Sequence, residues 1–381
     1  MERADAVRDR GTDWLAGGGP DHEVVLSTRV RLARNLQGFP FSIRAGVDDR
    51  RRVLARVRSA IEGGTSLVEP DLLEMENLDS GQRRLLLERH LVSRDLIGNP
   101  DEDAPPGAAL VLEGRRALGL MINEEDHLRL QTLLNGLQLV QAWQEVDRLD
   151  QELGGTLPYA FHHEFGFLTS CPTNVGTGLR ASVLIHLPGL VLTKEIRKVL
   201  QGISQVGLTY RGLYGEGSEV VGNFFQISNQ TTLGKTEEEL IDHLARIVGQ
   251  VIQYEKQARA ILLREAPTVL EDKVGRAYGI LSRAYTLPFD EMMNLISGLR
   301  LGLTLKLLRT PRVETLNRVM IFGQTAHLER MAGRSLDDAD ADVHRAAFVR
   351  RALAEDEEAA RSAGPRRDLD LPGGSDGDDE R

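Results

Sequence analysis

Five arginines stand in settings that suggest more than surface charge. Arg29 and Arg31 alternate with Val30 in a β-branched stretch, Val24–Leu36, so that Ser27, Arg29 and Arg31 share one strand face. Arg129 lies one turn into a pattern that reads as a long helix, Arg180 follows a glycine-rich run, and Arg211 precedes Gly212. A guanidinium is planar, permanently charged and forked, which suits it to the oxygens of a polyphosphate. Any one of these arginines alone reads equally well as a solvated charge. Only a fold that brings several together makes a polyanion site.

Carboxylates and a thiol supply the second kind of chemistry. Asn123-Glu124-Glu125-Asp126-His127 joins an apolar strand to the helical pattern; it reads either as an Asn N-cap with acids in the first turn or as a grip for a cationic substrate. Gly215-Glu216-Gly217 places a second acid on a turn, where a plain loop acid is the alternative. Cys171, before Pro172, is either a small buried residue or a thiol in a pocket. The run Asn174-Val175-Gly176-Thr177-Gly178 is either an anion-binding set of backbone N–H groups or an ordinary turn. It lacks the Gly-Lys-Ser/Thr of a Walker A loop, and the motif set of ordinary protein kinases is missing. His162-His163 has no partner at metal-ligand spacing, so no metal site is read there.

These residues need a scaffold. Val53, Leu54, Val57 and Ile61 repeat at helical spacing and Gly63-Gly64 ends that helix. Ala109–Leu112 and Ala117–Ile122 read as a hairpin. Asp126–Leu153 reads as one long amphipathic helix stopped by Gly154-Gly155. Phe165–Thr169, Ser182–Leu187, Gln205–Leu213 and Val220–Ser228 are strand candidates, with a helix at Thr193–Leu200 between them. Leu240 to Leu262 makes a long helix, and helical periodicity runs from Glu271 to Ala354 without a convincing strand. The expected organisation is a leader over 1–22, an α+β domain over 23–258, a helical domain over 265–354 and a disordered acidic tail over 355–381.

Composition sets the class. The 381 residues are 41% hydrophobic and 27% charged, the values of a soluble globular protein. The net charge of −10 argues against a nucleic-acid groove, although ten acids against four arginines from Glu355 onward supply −6 of it. Apolar runs are too short for a bilayer, and the charged Met1–Arg10 has no secretory h-region. The single cysteine rules out an internal disulfide framework. A cytoplasmic protein is expected.

Three stretches in order carry a resemblance to the phosphagen (ATP:guanido) kinase family: Ser27-Thr28-Arg29-Val30-Arg31, Asn123–Arg129 and Cys171–Ser182. Leu168–Ser182, Arg211–Glu219 and Gly222–Gln230 are most similar to the protein-arginine kinase branch, and the likeness runs from about Trp14 to about Arg351. The resemblance implies an antiparallel sheet flanked by helices, the glutamine synthetase/guanido kinase catalytic fold, followed by an all-helical C-terminal domain. It implies ATP with Mg²⁺. It assigns nucleotide contacts to Ser27, Thr28, Arg29, Val30 and Arg31, to His90 and Arg129, to Arg180, Ala181, Ser182, Val183 and Leu184, and to Arg211, Gly212, Leu213, Tyr214, Gly215 and Glu216. Glu125 and Glu216 match the carboxylates that hold the acceptor guanidinium, and Cys171 the thiol beside it.

The resemblance also bears on the acceptor. Kinases of small guanidines carry about a hundred residues of helical domain before their Ser-x-Arg-x-Arg segment; here 26 residues precede Ser27, which leads us to expect a protein acceptor. The branch implies arginine phosphorylation in proteins, marking for Clp-dependent degradation, a homodimer, and the activator McsA, a Clp ATPase/protease and the repressor CtsR as partners. A kinase for free arginine and a non-catalytic phosphoarginine-binding adaptor are the alternatives. The branch's phosphoarginine motif Arg-Asp-x-x-Arg-Ala reads Ala341-Asp342-Val343-His344-Arg345-Ala346 here, leaving Asp342 and Arg345 to hold that ligand.

Overall fold

The structure, a computed structural model, describes residues 10–99, 102–212 and 221–362. In chain order the elements are β1 (Val25–Arg34), α1 (Val47–Glu62), β2 (Pro70–Glu74), α2 (Ser80–Glu88), α3 (Arg94–Ile97), β3 (Ala109–Glu113), β4 (Gly119–Ile122), β5 (Leu128–Asn135) and α4 (Leu139–Gly154). Then come β6 (Phe161–His162), β7 (Gly166–Phe167), β8 (Leu179–His186), α5 (Pro188–Leu192), α6 (Ile196–Gln205), β9 (Leu208–Arg211) and β10 (Phe224–Asn229). The rest is helical: α7 (Glu237–Glu265), α8 (Pro267–Arg283), α9 (Phe289–Thr304), α10 (Val313–Phe322), α11 (Thr325–Ala332) and α12 (Asp338–Ser362).

Eight strands form one sheet in the order β2-β3-β4-β5-β1-β8-β10-β9, and every pairing is antiparallel. The α+β antiparallel architecture and the helical C-terminal part are as expected. Strand alternation divides the sheet into two unlike faces. Val30 and Leu32 of β1, Leu128 and Leu130 of β5, and Ala181, Val183 and Ile185 of β8 point into a core closed by α1, α4 and α7. The other face holds two smaller cores. In one, Leu110, Met121 and Leu133 pack with α2, α3 and Trp14; in the other, Leu26, Leu184 and Phe224 pack with α8, α9, α10 and α12. Arg29 and Arg31 lie on this second face.

Three boundaries differ from expectation. Asp126–Leu153 is not one helix: its first part is β5, and only Leu139–Gly154 is helical. Leu130, Leu133, Leu134 and Leu137 fit a helical period, but Leu128, Leu130 and Thr132 also alternate, and pairing with β1 and β4 decides for the strand. Gly136, at φ +63° and pressed against Gly19 and Pro20, makes the break. The expected leader is partly built in, since Trp14 and Leu15 are buried and Asn317 donates to Leu15 O at 3.1 Å. At the other end α12 runs through Ser362, past the expected start of the acidic tail. Ala354, Ala359 and Ala360 favour helix, and Asp356 is buried, accepting from the backbone and side chain of Arg312. Residues 363–381 lie outside the described residues. Among the described residues no helix is long and apolar enough to cross a membrane.

Candidate functional site

Cross-strand register assembles the arginines. Arg31 lies opposite Arg180 on one side and Gln131 on the other; Arg29 lies opposite Ser182 and Leu133. Arg129 faces Ala33 and Met121, and Arg211 on the edge strand faces Gln226. All five arginines therefore line one cavity of about 440 Å³, whose rim carries Ser93 and Gln324, a size suited to a small-molecule ligand. The separation in sequence, from 29 to 211, hides this cluster; antiparallel pairing creates it.

Like charges crowd each other in this cluster. Burial, with Arg129 and Arg180 nearby, pulls the Arg29 guanidinium down to about 10. Arg31 is pulled well below its ordinary value by burial and then by Arg29, Arg129 and Arg180. Arg31 Nε is buried with no hydrogen-bond partner among the described residues. Arg129 pairs with the Glu124 carboxylate. Crowded, desolvated cations lower their mutual energy when a polyanion enters, so the cavity suits a polyanionic ligand. His90, at φ +60°, is held to about 3 by burial and by Arg29, and so lines the cavity as a neutral ring beside Trp14.

Alternation also divides the expected contact set between the two faces. Ser27, Ser182 and Leu184 line the adjoining end of the cavity with Arg29. Val30, Ala181 and Val183 point the other way, into the core. The Thr28 hydroxyl donates to Gly136 O at 2.7 Å and accepts from Gln138 N at 3.0 Å, so it anchors β1 to the β5–α4 turn. Side chains of adjacent strand residues cannot share a face. Gly212 follows Arg211 at the end of β9, while Leu213, Tyr214, Gly215 and Glu216 lie outside the described residues.

Residues 123–127 form the turn between β4 and β5, not a helix N-terminus. Asn123 takes φ +56° and its side-chain amide donates to Arg50 O and Gly107 O, both at 2.8 Å. The acids then divide their work. Glu124 turns into the arginine cluster. Burial acts to raise its carboxyl, but Arg129, Ser93 and the Glu125 N–H outweigh it and the net direction is down. Asp126 turns away, accepting from Asn35 Nδ2 and from Ser170 N at 2.6 Å each, and thereby ties the residue before Cys171 to the turn. Glu125 lies between, half-buried, its carboxyl raised by burial against the opposing pull of Arg129. Cys171 is partly exposed with Sγ 3.0 Å from Thr173 Oγ1. The turn thus sends Glu124 to the cationic cluster and Asp126 to the loop before Cys171, with Glu125 between them in the chain. The Glu124 and Asp126 roles escaped the sequence reading, though both stand in its highlighted motif.

The glycine-rich run has a packing reason. A Cβ at Gly178 would stand 2.6 Å from Ala33 O, and one at Gly176 2.7 Å from Thr232 O. The loop is pinned by Arg34, which sequence reasoning also missed because one arginine in a strand gives no signal. Arg34 is 1% exposed, makes a forked bond to Asp150, donates to Thr177 O at 2.7 Å and lies 3.6 Å over the Phe167 ring. Asp150→Ala removes the forked partner and leaves Glu237, 3.5 Å away, as the remaining carboxylate on that guanidinium, and is expected to destabilise the fold by about 1.5–3 kcal/mol. Chemical denaturation checks this; a loss under about 1 kcal/mol contradicts it.

Asp342 and Arg345 do not form an open site. Arg345 is buried and donates to Gly323 O at 2.7 Å, to Leu287 O at 2.9 Å and to Asp342. It joins α12 to the segments that flank α9 and α10, which leaves little of it for an external phosphate. Among the described residues no cluster of three metal-ligating side chains occurs.

Comparison with known proteins places this geometry. The family model described as ATP:guanido phosphotransferase, C-terminal catalytic domain, matches residues 52–258, and that of the protein-arginine kinase McsB C-terminal domain matches residues 267–363. Protein-arginine kinase of Moorella thermoacetica is 44% identical over 349 residues, covering 91% of this chain and 98% of that protein. The protein of the same name from Halothermothrix orenii is 42% identical, covering 93% and 99%. Among solved structures, lombricine kinase superposes with TM-score 0.56 at 24% identity over 66% of this chain and 72% of that chain, a likeness of fold.

Proposed function

Because the chain belongs to the ATP:guanido phosphotransferase family and carries the McsB C-terminal domain, we propose that it phosphorylates arginine side chains in proteins with MgATP as donor. The observation that carries this reading is the convergence of Arg29, Arg31, Arg129, Arg180 and Arg211 on one cavity, with Glu124 paired to Arg129 there and Asp126 tying the residue before Cys171 to the same turn. Relatives named protein-arginine kinase, matched over nearly their whole length, support protein as acceptor. Mg²⁺ belongs to the donor, since this ion keeps its waters and binds chiefly through phosphate oxygens.

In this reading the arginines bind the polyphosphate and take up charge as the γ-phosphoryl group moves. The bond from the γ-phosphorus to the bridging oxygen breaks, a bond to a guanidinium nitrogen forms, and ADP leaves. An arginine guanidinium has a pKa above about 12, so its nitrogen is a poor nucleophile while protonated. Glu125, with Glu216 as second carboxylate, orients it, and Glu125 accepts the departing proton; Cys171 flanks the acceptor. Ordering donor and acceptor in one site supplies the proximity that a bimolecular transfer lacks.

The raised Glu125 carboxyl gives a pH dependence. The base must be ionised, so activity is lost as pH falls through its pKa, which burial moves upward. The acid limb of kcat/KM is therefore expected above the ordinary glutamate value of about 4.3. A pH profile at saturating MgATP measures it, and an acid limb at or below that value contradicts the assignment.

The wider reading is a cytoplasmic role in protein quality control, marking clients for a Clp ATPase/protease, with McsA and CtsR as partners and the protein as a homodimer. Incubation with labelled ATP and Mg²⁺, offering casein and free arginine side by side, tests the acceptor. Acid-labile label on casein is expected. Label on free arginine alone overturns the protein acceptor, and phosphoarginine binding without transfer to either points to an adaptor.

A further inference from the structure

Among the described residues that line the arginine cavity, Gln324 alone belongs to the helical C-terminal region; the others stand on the sheet or within residues 87–95. Gln324 precedes α11 and is 9% exposed. Two anchors bring it to the cavity. On one side, Arg345 of α12 donates to the preceding carbonyl, Gly323 O, at 2.7 Å. On the other, Glu88 at the end of α2 grips the first turn of α11. Its carboxylate accepts from Ala326 N at 2.8 Å, from His327 N at 3.2 Å and from His327 Nδ1 at 2.7 Å. Arg89 Nε donates to His327 Nε2 at 3.1 Å, which leaves the ring hydrogen on Nδ1, toward Glu88. Arg84 and Glu329, 2.8 Å apart, tie the same two helices again.

These contacts also orient the Gln324 amide. Its Nε2 donates to Glu88 O at 3.2 Å, so Oε1 remains an acceptor with no donor among the described residues. An acceptor at a cavity wall is satisfied by what enters the cavity. Charge decides which part of a nucleotide that is. The phosphates belong with the five arginines. Gln324 is bonded to Glu88, whose carboxylate repels phosphate oxygens, and His90, two residues further on, is a neutral ring. This end of the cavity suits the uncharged nucleoside.

We propose that Gln324 is a specificity-determining residue of the nucleotide site, its amide oxygen accepting a hydrogen bond from the adenine amino group or a ribose hydroxyl. This rests on the reading that the cavity binds a nucleotide polyphosphate. The helical C-terminal region thereby completes the donor site, through a side chain that Glu88 and Arg345 hold in place.

The test is calorimetric titration of the full chain with Mg²⁺ complexes of ADP, inosine diphosphate, 2′-deoxy-ADP, 3′-deoxy-ADP and tripolyphosphate. Wild type is expected to bind ADP roughly three- to tenfold more tightly than one of the three analogues, the effect of one hydrogen bond. The analogue that loses affinity identifies the donor group. Gln324→Leu is expected to bind ADP weaker by the same factor and to lose that preference, with tripolyphosphate within about twofold. Gln324→Glu keeps an acceptor oxygen and is expected to keep the preference. Analogues bound by wild type as tightly as ADP, or a preference that persists in Gln324→Leu, overturn the proposal. An equal loss for tripolyphosphate in Gln324→Leu also overturns it, since that marks a general disturbance of the cavity. Absence of any MgADP binding by wild type overturns instead the nucleotide reading on which the proposal rests.

Discussion

Glu125→Gln is expected to lower phosphoarginine formation by about 10²–10⁴-fold, the usual worth of a positioned base, while leaving the thermal unfolding curve in place. The fold is spared because Glu125 is half-buried at a turn whose shape is set by its neighbours. Asn123 binds Arg50 O and Gly107 O, and Asp126 binds Asn35 and Ser170 N. Glutamine keeps size and hydrogen bonding but takes neither the proton nor the charge that attracts a guanidinium. The measurement is acid-labile label on a protein acceptor at saturating MgATP, with circular dichroism and melting as controls. Activity within tenfold of wild type rules Glu125 out as base. Loss of activity with a collapsed fold shows instead that Glu125 supports the turn.

Arg31→Met is expected to have opposite effects on binding and stability. Nucleotide affinity should fall by at least about tenfold and up to about 150-fold, since hydrogen bonds to charged groups contribute about 1.5–3 kcal/mol. The nucleotide-free protein should melt higher. Arg31 is held well below its ordinary value by burial and by Arg29, Arg129 and Arg180. A cation with a depressed folded-state value gains folding stability only above its unfolded pKa; at neutral pH its charge opposes folding. Methionine has similar length and no charge, and Glu124, whose charge favours Arg31, keeps Arg129 as its ion pair. Recovery of each kcal/mol raises Tm by about 1–2 °C in a chain of this size. With saturating MgATP the gap should close or reverse, because the tighter binding stabilises wild type by about 1.4–3 kcal/mol more than the variant. Calorimetric titration and melting with and without nucleotide check both halves. A lower nucleotide-free Tm in Arg31→Met contradicts the account of an arginine cluster strained until an anion enters.

The two substitutions show how function and stability are separated here. The cavity face concentrates four half-buried like charges on adjacent strands, and the opposite face of the same strands supplies the apolar core. Alternation makes this possible: in β1 the residues that bind and the residues that hold the sheet are neighbours in sequence. A one-residue slip of β1 would put Val30 in the cavity and Arg31 in the core, so binding and folding select the same register.

Much of the chemistry was legible from residue types and order. Arginines spaced by two on a β-branched strand, acids next to an asparagine, and a cysteine before Pro-Thr-Asn are local patterns, and local patterns survive without coordinates. The helical C-terminal part was equally legible, because long amphipathic periods declare themselves over many residues. Element type failed at Leu128–Asn135, where apolar residues satisfy both periods and only pairing with β1 and β4 chooses. The capping explanation of Asn123 failed with it.

What the sequence by itself determined is the set of groups present and the faces on which alternating residues must lie. Tertiary structure alone decided that arginines from β1, β5, β8 and β9 meet, because register is a property of strand pairs and not of one strand. It decided that Arg34 and Arg345 are buried struts while Arg29 and Arg31 are open to a ligand, a difference of surroundings between identical side chains. It decided, too, that α9 grips the chain at Gly222 and Asn223, some seventy residues earlier, through a contact with no periodic trace in the sequence.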